Sequence, residues 1–209
     1  MSKIKQSPLG GVSGALGNLV GSSWKGIPYL RTKPAVYHDA KTPTQTKYRT
    51  RFGGCSKLSK SLKYSIIRPV WDCKAIQMSG HNLFISKNIA AFDKSGNIDS
   101  YDRLTISVGN MPPPKDSLAQ VNPETPGQIQ LCWSDNSNTC DASPNDRLNL
   151  VTIVNGEASY YTDLTATRGV QSATITIPAA KDNTVHLYIF FANEKNNLFS
   201  ESIYHKVQC

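Results

Sequence analysis

Between Gly96 and Cys209 apolar and polar residues alternate in short runs: Leu104-Thr-Ile-Ser-Val108, Ile129-Gln-Leu-Cys-Trp133 and Ala173-Thr-Ile-Thr-Ile177. A period of two puts one set of side chains on one face, so each run predicts a half-buried strand. Leu148 to Val154, Ala158 to Thr162, Val185 to Phe191 and Phe199 to Lys206 bring the total to seven. Asn155-Gly156 lies between two of these and suits a two-residue hairpin turn, in which both positions need positive φ. Short strands at this spacing, with no helical pattern between them, predict an antiparallel β-sandwich of immunoglobulin or fibronectin type with Trp133 in its core. Met111-Pro112-Pro113-Pro114 cannot feed a sheet ladder and falls in an extended connection after the first strand.

The period changes upstream. Tyr48, Phe52, Cys55, Leu58, Leu62 and Ile66 recur at steps of three and four, the apolar face of a helix, and this spacing assigns the two aromatic rings to the core. Thr42-Pro43-Thr44-Gln45 reads as its start: Thr as N-cap, Pro at the first helical position and Gln completing a capping box. Gly53-Gly54 weakens the middle of the helix and predicts a kink or a close backbone approach. Pro69 ends this helix or starts the next. Val70, Trp71, Ala75 and Met78, then Leu83, Phe84, Ile85 and Ala91 around Gly80, predict one or two further short helices.

The first 43 residues fit neither period. They hold six of the 14 glycines, interleaved with Leu9, Val12, Leu16, Leu19, Trp24, Ile27 and Tyr29. Glycine loses the most backbone entropy on ordering, so apolar anchors at regular intervals predict an arm that is ordered by packing on something else, such as a neighbouring subunit. The expected organisation is α+β: residues 1–43 a Gly-rich basic assembly arm, 44–95 a basic amphipathic helical unit and 96–209 the sandwich.

Charge sharpens this division. From Met1 to Lys74 there are 14 Lys and Arg against two acids, a net +12, while Ala75 to Cys209 carries 9 against 13, a net −4. Lys47, Arg49, Arg51, Lys57, Lys60 and Lys63 cover the polar side of the first helix and are the candidate contacts to nucleic-acid phosphate or to an acidic partner. Five cysteines, Cys55, Cys73, Cys132, Cys140 and Cys209, form no C-x-x-C pair, and the four histidines are scattered, so no metal site is expected. Cys132 and Cys140 flank a polar loop where geometry decides whether they can pair. That loop, Asp135 to Asp141 with Asn145 and Asp146, lacks the central Gly and terminal Glu of a helix-loop-helix calcium site and reads as a polar turn. No nucleophile elbow, zincin helix or Walker loop occurs, which predicts no catalytic residues, no cofactor and no small-molecule substrate. The longest apolar run is too short for a membrane span, and Met-Ser-Lys-Ile-Lys-Gln-Ser lacks the apolar stretch of a secretion signal.

Five blocks carry a resemblance over the whole chain: Lys3-Ile-Lys-Gln with Leu9-Gly-Gly-Val-Ser-Gly; Leu16-Gly-Asn-Leu-Val-Gly-Ser-Ser-Trp-Lys-Gly-Ile27; Thr42-Pro-Thr-Gln-Thr with Arg51-Phe52; Met78-Ser-Gly-His-Asn-Leu-Phe84; and Trp133-Ser-Asp-Asn-Ser137. In these blocks the chain resembles a family of proteins from Bacteroidota catalogued as domain of unknown function 6266. Lys41-Thr42 stands where that family typically has Arg-Thr, which keeps both the charge and the helix cap. The resemblance implies the same order of arm, helices and sandwich, and no established activity. The Thr-Pro-x-Gln start, basic face and Gly-x-Asn-x-Phe close are also similar to small virion-associated proteins. The expected function is a non-enzymatic structural protein that self-assembles, a bacteriophage or prophage-derived virion component assembled in the bacterial cytoplasm, whose arm meets identical subunits or other virion proteins and, by charge, DNA. The rivals are a cytoplasmic basic nucleic-acid-binding protein and a surface adhesin.

Overall fold

Arg147–Val154 (β7) and Thr184–Ala192 (β10) are buried at almost every residue, as strands covered on both faces are. In the computed structural model, which describes residues 2–3, 13–36, 39–122, 125, 127–177 and 183–209, the two strands pair antiparallel at the centre of a four-stranded sheet. Its order is β11-β10-β7-β8, with β8 at Glu157–Thr167 and β11 at Ile203–Gln208. A three-stranded sheet in the order β5-β6-β9 comprises Lys115–Val121, Gln128–Ser134 and Ser172–Thr176.

The central strands serve two cores. Leu148, Leu150, Val154, Val185, Leu187, Ile189 and Phe191 pack with Ile129, Leu131 and Trp133 of the smaller sheet. Trp133 is buried there, edge-on to Phe191 at 5.8 Å. Val151, Ile153, Tyr188 and Phe190 point the other way, into a core shared with the helices. The chain therefore has three layers: helices, four-stranded sheet, three-stranded sheet. The expected division at residue 95/96 is not a break in packing, because helix and sheet residues form one cluster across it. The reason lies in β7 and β10, which bury apolar side chains on both of their faces.

The helical layer opens as its local signals require. Helix α1, Pro43–Ser61, begins at Thr42, whose Oγ1 accepts from Gln45 N at 3.3 Å while Gln45 Oε1 accepts from Thr42 N at 3.2 Å. Pro69 would clash with the carbonyl four residues earlier in an α-helix. Here Lys63–Trp71 winds as a wider π-helix around it, with Ile67 N donating to Leu62 O and Asp72 N to Ile67 O. Trp71 closes this segment fully buried; it packs edge-on against Phe84 of α2 (Gly80–Asn88) and donates its indole N–H to Ile106 O at 2.8 Å. The Gly53-Gly54 expectation resolves at one residue: a Cβ on Gly54 would stand 2.0 Å from Gly96 O, so helix and turn meet backbone to backbone.

One expected strand is absent and another takes its place. Leu104–Val108 is extended and buries Leu104 and Ile106, but it makes no ladder. Ser202 Oγ accepts from Ile106 N and Ser107 N instead, and Ser107 Oγ donates to Ser200 O. The seventh strand of the sandwich is β5, which pairs with β6 and leaves Leu118 exposed.

Candidate functional site

The Gly-rich stretch folds as strands. Gly14–Leu16 (β2), Leu19–Trp24 (β3) and Ile27–Thr32 (β4) form an antiparallel meander, and Ser2–Lys3 (β1) pairs with β4. Two-residue turns supply the reversals. In the second, Lys25 and Gly26 have φ of 47° and 79°, the left-handed pair that matches strand twist.

Register decides where the expected contact residues fall. Trp24 stands opposite Ile27, Ser22 opposite Tyr29 and Val20 opposite Ala15 and Arg31, so Trp24, Ile27 and Tyr29 share one face. Leu16 and Leu19 face each other on the opposite side, with Leu30 two positions along. Leu9 and Val12 lie outside the described residues. Leu16 is 73% exposed and Trp24 50%, and both apolar cores draw their members from Cys55 onward. The sheet thus shows apolar side chains on two faces and contributes to neither core.

Helix α1 also exposes apolar rings. Tyr48 and Phe52, assigned by spacing to the core, keep about half of each ring exposed at 56% and 47%. Burial along the helix starts only at Cys55, one turn further on, where the shared core begins.

The six expected cations divide into two groups. Arg49 grips Asp39 with two bonds of 2.7 and 2.9 Å, and its guanidinium holds the Asp39 carboxyl below the usual carboxylate range. Arg51 donates from Nε to Phe92 O at 2.6 Å, and with Lys47 it lines a shallow hollow opposite Asp93 and Asp99. Lys57, Lys60 and Lys63 point outward. Sequence reasoning missed Tyr64 and Arg68: the Arg68 guanidinium lies 4.7 Å and the Lys63 ammonium 5.4 Å from the centre of the exposed Tyr64 ring. Their four-residue spacing was the available signal, hidden by the approach of Pro69.

A cleft of about 640 Å³ opens where α1 passes the β7–β8 hairpin. Leu58, Phe92, Ile98 and Ala158 form apolar lining, with Lys57 on the helix wall and Glu157 at the hairpin. Among the described residues the ion pairs are Arg49–Asp39 and Arg168–Asp146, so Lys57 and Glu157 are not paired across it.

Other polar clusters face inward. His81 of α2 meets Ser59 Oγ at 2.7 Å through Nδ1 and Ser56 Oγ at 3.4 Å through Nε2, and burial followed by the Lys60 charge lowers its pKa. Both hydroxyls belong to buried residues of α1, so the imidazole pins α2 to α1. Arg168 is fully buried: Nε binds Asp146 at 3.0 Å, Nη1 binds Asn136, Nη2 binds Pro112 O at 3.0 Å, and the guanidinium lies 4.2 Å from the Phe191 ring centre. Two oxygens of the 135–146 loop that reads as a polar turn, on Asn136 and Asp146, thus bind a guanidinium. Among the described residues no three His, Cys, Asp or Glu gather as a metal site. All five thiols are free, Cys132 and Cys140 are exposed, and burial pushes the Cys55 thiol up to about 12.

These features define a mixed, mostly antiparallel β protein with a helical layer and a separate exposed sheet. The chain belongs to a family of unknown function, DUF6266, whose model matches residues 11–206. A comparison with curated proteins returned no match. No helix among the described residues is long and apolar enough to cross a membrane.

Proposed function

We propose that this is a non-enzymatic structural protein that self-assembles, with the amino-terminal sheet docking on neighbouring copies. The observation that carries this reading is a small sheet with apolar groups on both faces, outside both cores of its own chain. A sheet of this size is marginal alone, and its ordering entropy is offset once another molecule covers it. Within the sandwich, the first, second and fifth strands form one sheet and the third, fourth, sixth and seventh the other. That split supports an immunoglobulin or fibronectin type body. A body with a docking arm fits a bacteriophage or prophage-derived virion component, assembled in the bacterial cytoplasm.

Light scattering after size exclusion tests the reading. The full chain is expected to form oligomers, and a chain beginning at Pro43, which keeps both cores, to remain monomeric. Equal monomer masses for both would refute it. Trp24→Ala is expected to weaken assembly with the far-UV strand signal intact.

The exposed Lys57, Lys60 and Lys63 beside the Tyr64–Arg68 pair favour a second reading, binding of nucleic acid through phosphate contacts and stacking. Salt separates the two, since phosphate contacts weaken steeply as ionic strength rises and apolar docking persists.

A further inference from the structure

We infer that the β3–β4 hairpin tip, Trp24-Lys25-Gly26-Ile27, docks in the cleft between α1 and the β7–β8 hairpin of a second copy of this chain. The inference rests on the assembly reading above and names its acceptor. Three observations converge on it.

The tip offers an unusual pair of groups. Trp24 is half exposed at the end of β3, and the left-handed turn places the Lys25 ammonium next in the chain. A large aromatic ring on a rigid two-residue turn is the kind of anchor that dominates an interface, because it buries much area at little entropic cost.

The cleft offers the complement. Its volume of about 640 Å³ lies within the range of about 300–1,000 Å³ seen for sites that enclose ligands. Leu58, Phe92, Ile98 and Ala158 give an indole an apolar surface, and Lys57 on the helix wall can lie over its face as a cation–π partner. Glu157 supplies the counter-charge for Lys25.

Charge also selects the direction of contact. Residues 1–43 carry six Lys and Arg against Asp39, so arm against arm repels, whereas the charged side chains of the cleft, Lys57 and Glu157, balance each other. Each chain brings a tip and a cleft, so two copies can exchange tips reciprocally and close as a two-fold dimer, or the contact can run head to tail into a ring or filament.

The test uses the full-length chain and its own fluorescence. Trp71 and Trp133 are buried at 0% and 4% exposure, so Trp24 supplies the quencher-accessible indole signal. Acrylamide quenching and light scattering are followed together as concentration rises. Quenching is expected to fall severalfold as mass increases beyond the monomer. Lys25→Glu and Glu157→Lys are each expected to weaken association about tenfold or more, and the double swap to restore it. Both side chains are exposed, and near-UV circular dichroism verifies the fold of each variant. If Trp24→Ala abolishes association while Glu157→Lys associates like the parent and the double swap rescues nothing, the arm docks elsewhere: the cleft is overturned and the assembly reading stands. A parent chain that stays monomeric at every concentration overturns both. Trp24 shielded from acrylamide in a monomer places the tip in its own cleft and also overturns the intermolecular contact.

Discussion

Gly54 shows how one missing methyl sets the spacing of a helix and a turn. A Cβ there would collide with the Gly96 carbonyl, whereas a Cβ on Gly53 would meet nothing within 4 Å. Alanine at 53 is expected to raise the unfolding free energy by about 0.5–1 kcal/mol through helix propensity. Alanine at 54 is expected to lower it by about 1–3 kcal/mol, because backbone must move. Urea denaturation of the two variants checks the opposite signs. Arg168 is the other residue on which local structure turns. Its burial disfavours the charge and lowers its pKa, and Asp146 is the counter-ion that keeps it ionised. Asp146→Ala leaves a buried cation uncompensated and is expected to cost about 3–5 kcal/mol. Arg168→Met together with Asp146→Leu is expected to cost less in the same measurement.

Strands and helices are joined by imidazoles whose burial shows in their titration. His81 links α2 to α1, His186 of β10 stacks on Tyr101 at 3.5 Å and meets Tyr204 Oη at 2.8 Å, and His205 of β11 meets Ser117 Oγ of β5 at 2.8 Å. Burial is the largest cause lowering all three from the ordinary 6.5, with the Lys60 charge adding to it at His81 and Lys206 at His186. Below that ordinary value the unfolded chain takes up protons that the folded chain resists, so stability falls as pH drops through it. The melting temperature is expected to decline between about pH 7 and 5.5, and His81→Asn to flatten the slope. Equal slopes for parent and variant would show that His81 titrates alike in both states. At this scale the sequence was legible where the signal is local. The Thr42 capping box, the Asn155-Gly156 turn with φ of 51° and 82°, and six of the sandwich strands follow from nearest neighbours. Alternation misled at Leu104–Val108 because it reports burial, and the partners that replace a ladder there come from Ser200 and Ser202, far along the chain. The edge strand β5 hid because Leu118 points outward. The amino-terminal meander was concealed by glycines that mark its turns and dilute its strand pattern. Tyr48 and Phe52 follow the helical period faithfully, yet the core does not extend under them.

Over the whole molecule, stability and candidate function lie in different parts of the chain. Amides of β7 and β10, enclosed between two cores, are expected to exchange with solvent only on global unfolding. Amides of β2 to β4 are expected to exchange much faster in dilute solution and to slow on assembly, which hydrogen exchange at two concentrations measures. The candidate surface was legible as a set of anchors and a charge imbalance. Its cleft was not, since Lys57 and Glu157 are a hundred residues apart and come to line one cleft only through tertiary packing. The central position of β10 has a consequence during synthesis. Residues 184–192 emerge after the helices, β7 and the smaller sheet that they join, so a nascent chain short of that point carries two sticky surfaces with their shared filling missing. Until β10 leaves the ribosome these surfaces are open to non-native association, and a truncated product lacking it is expected to aggregate or be degraded.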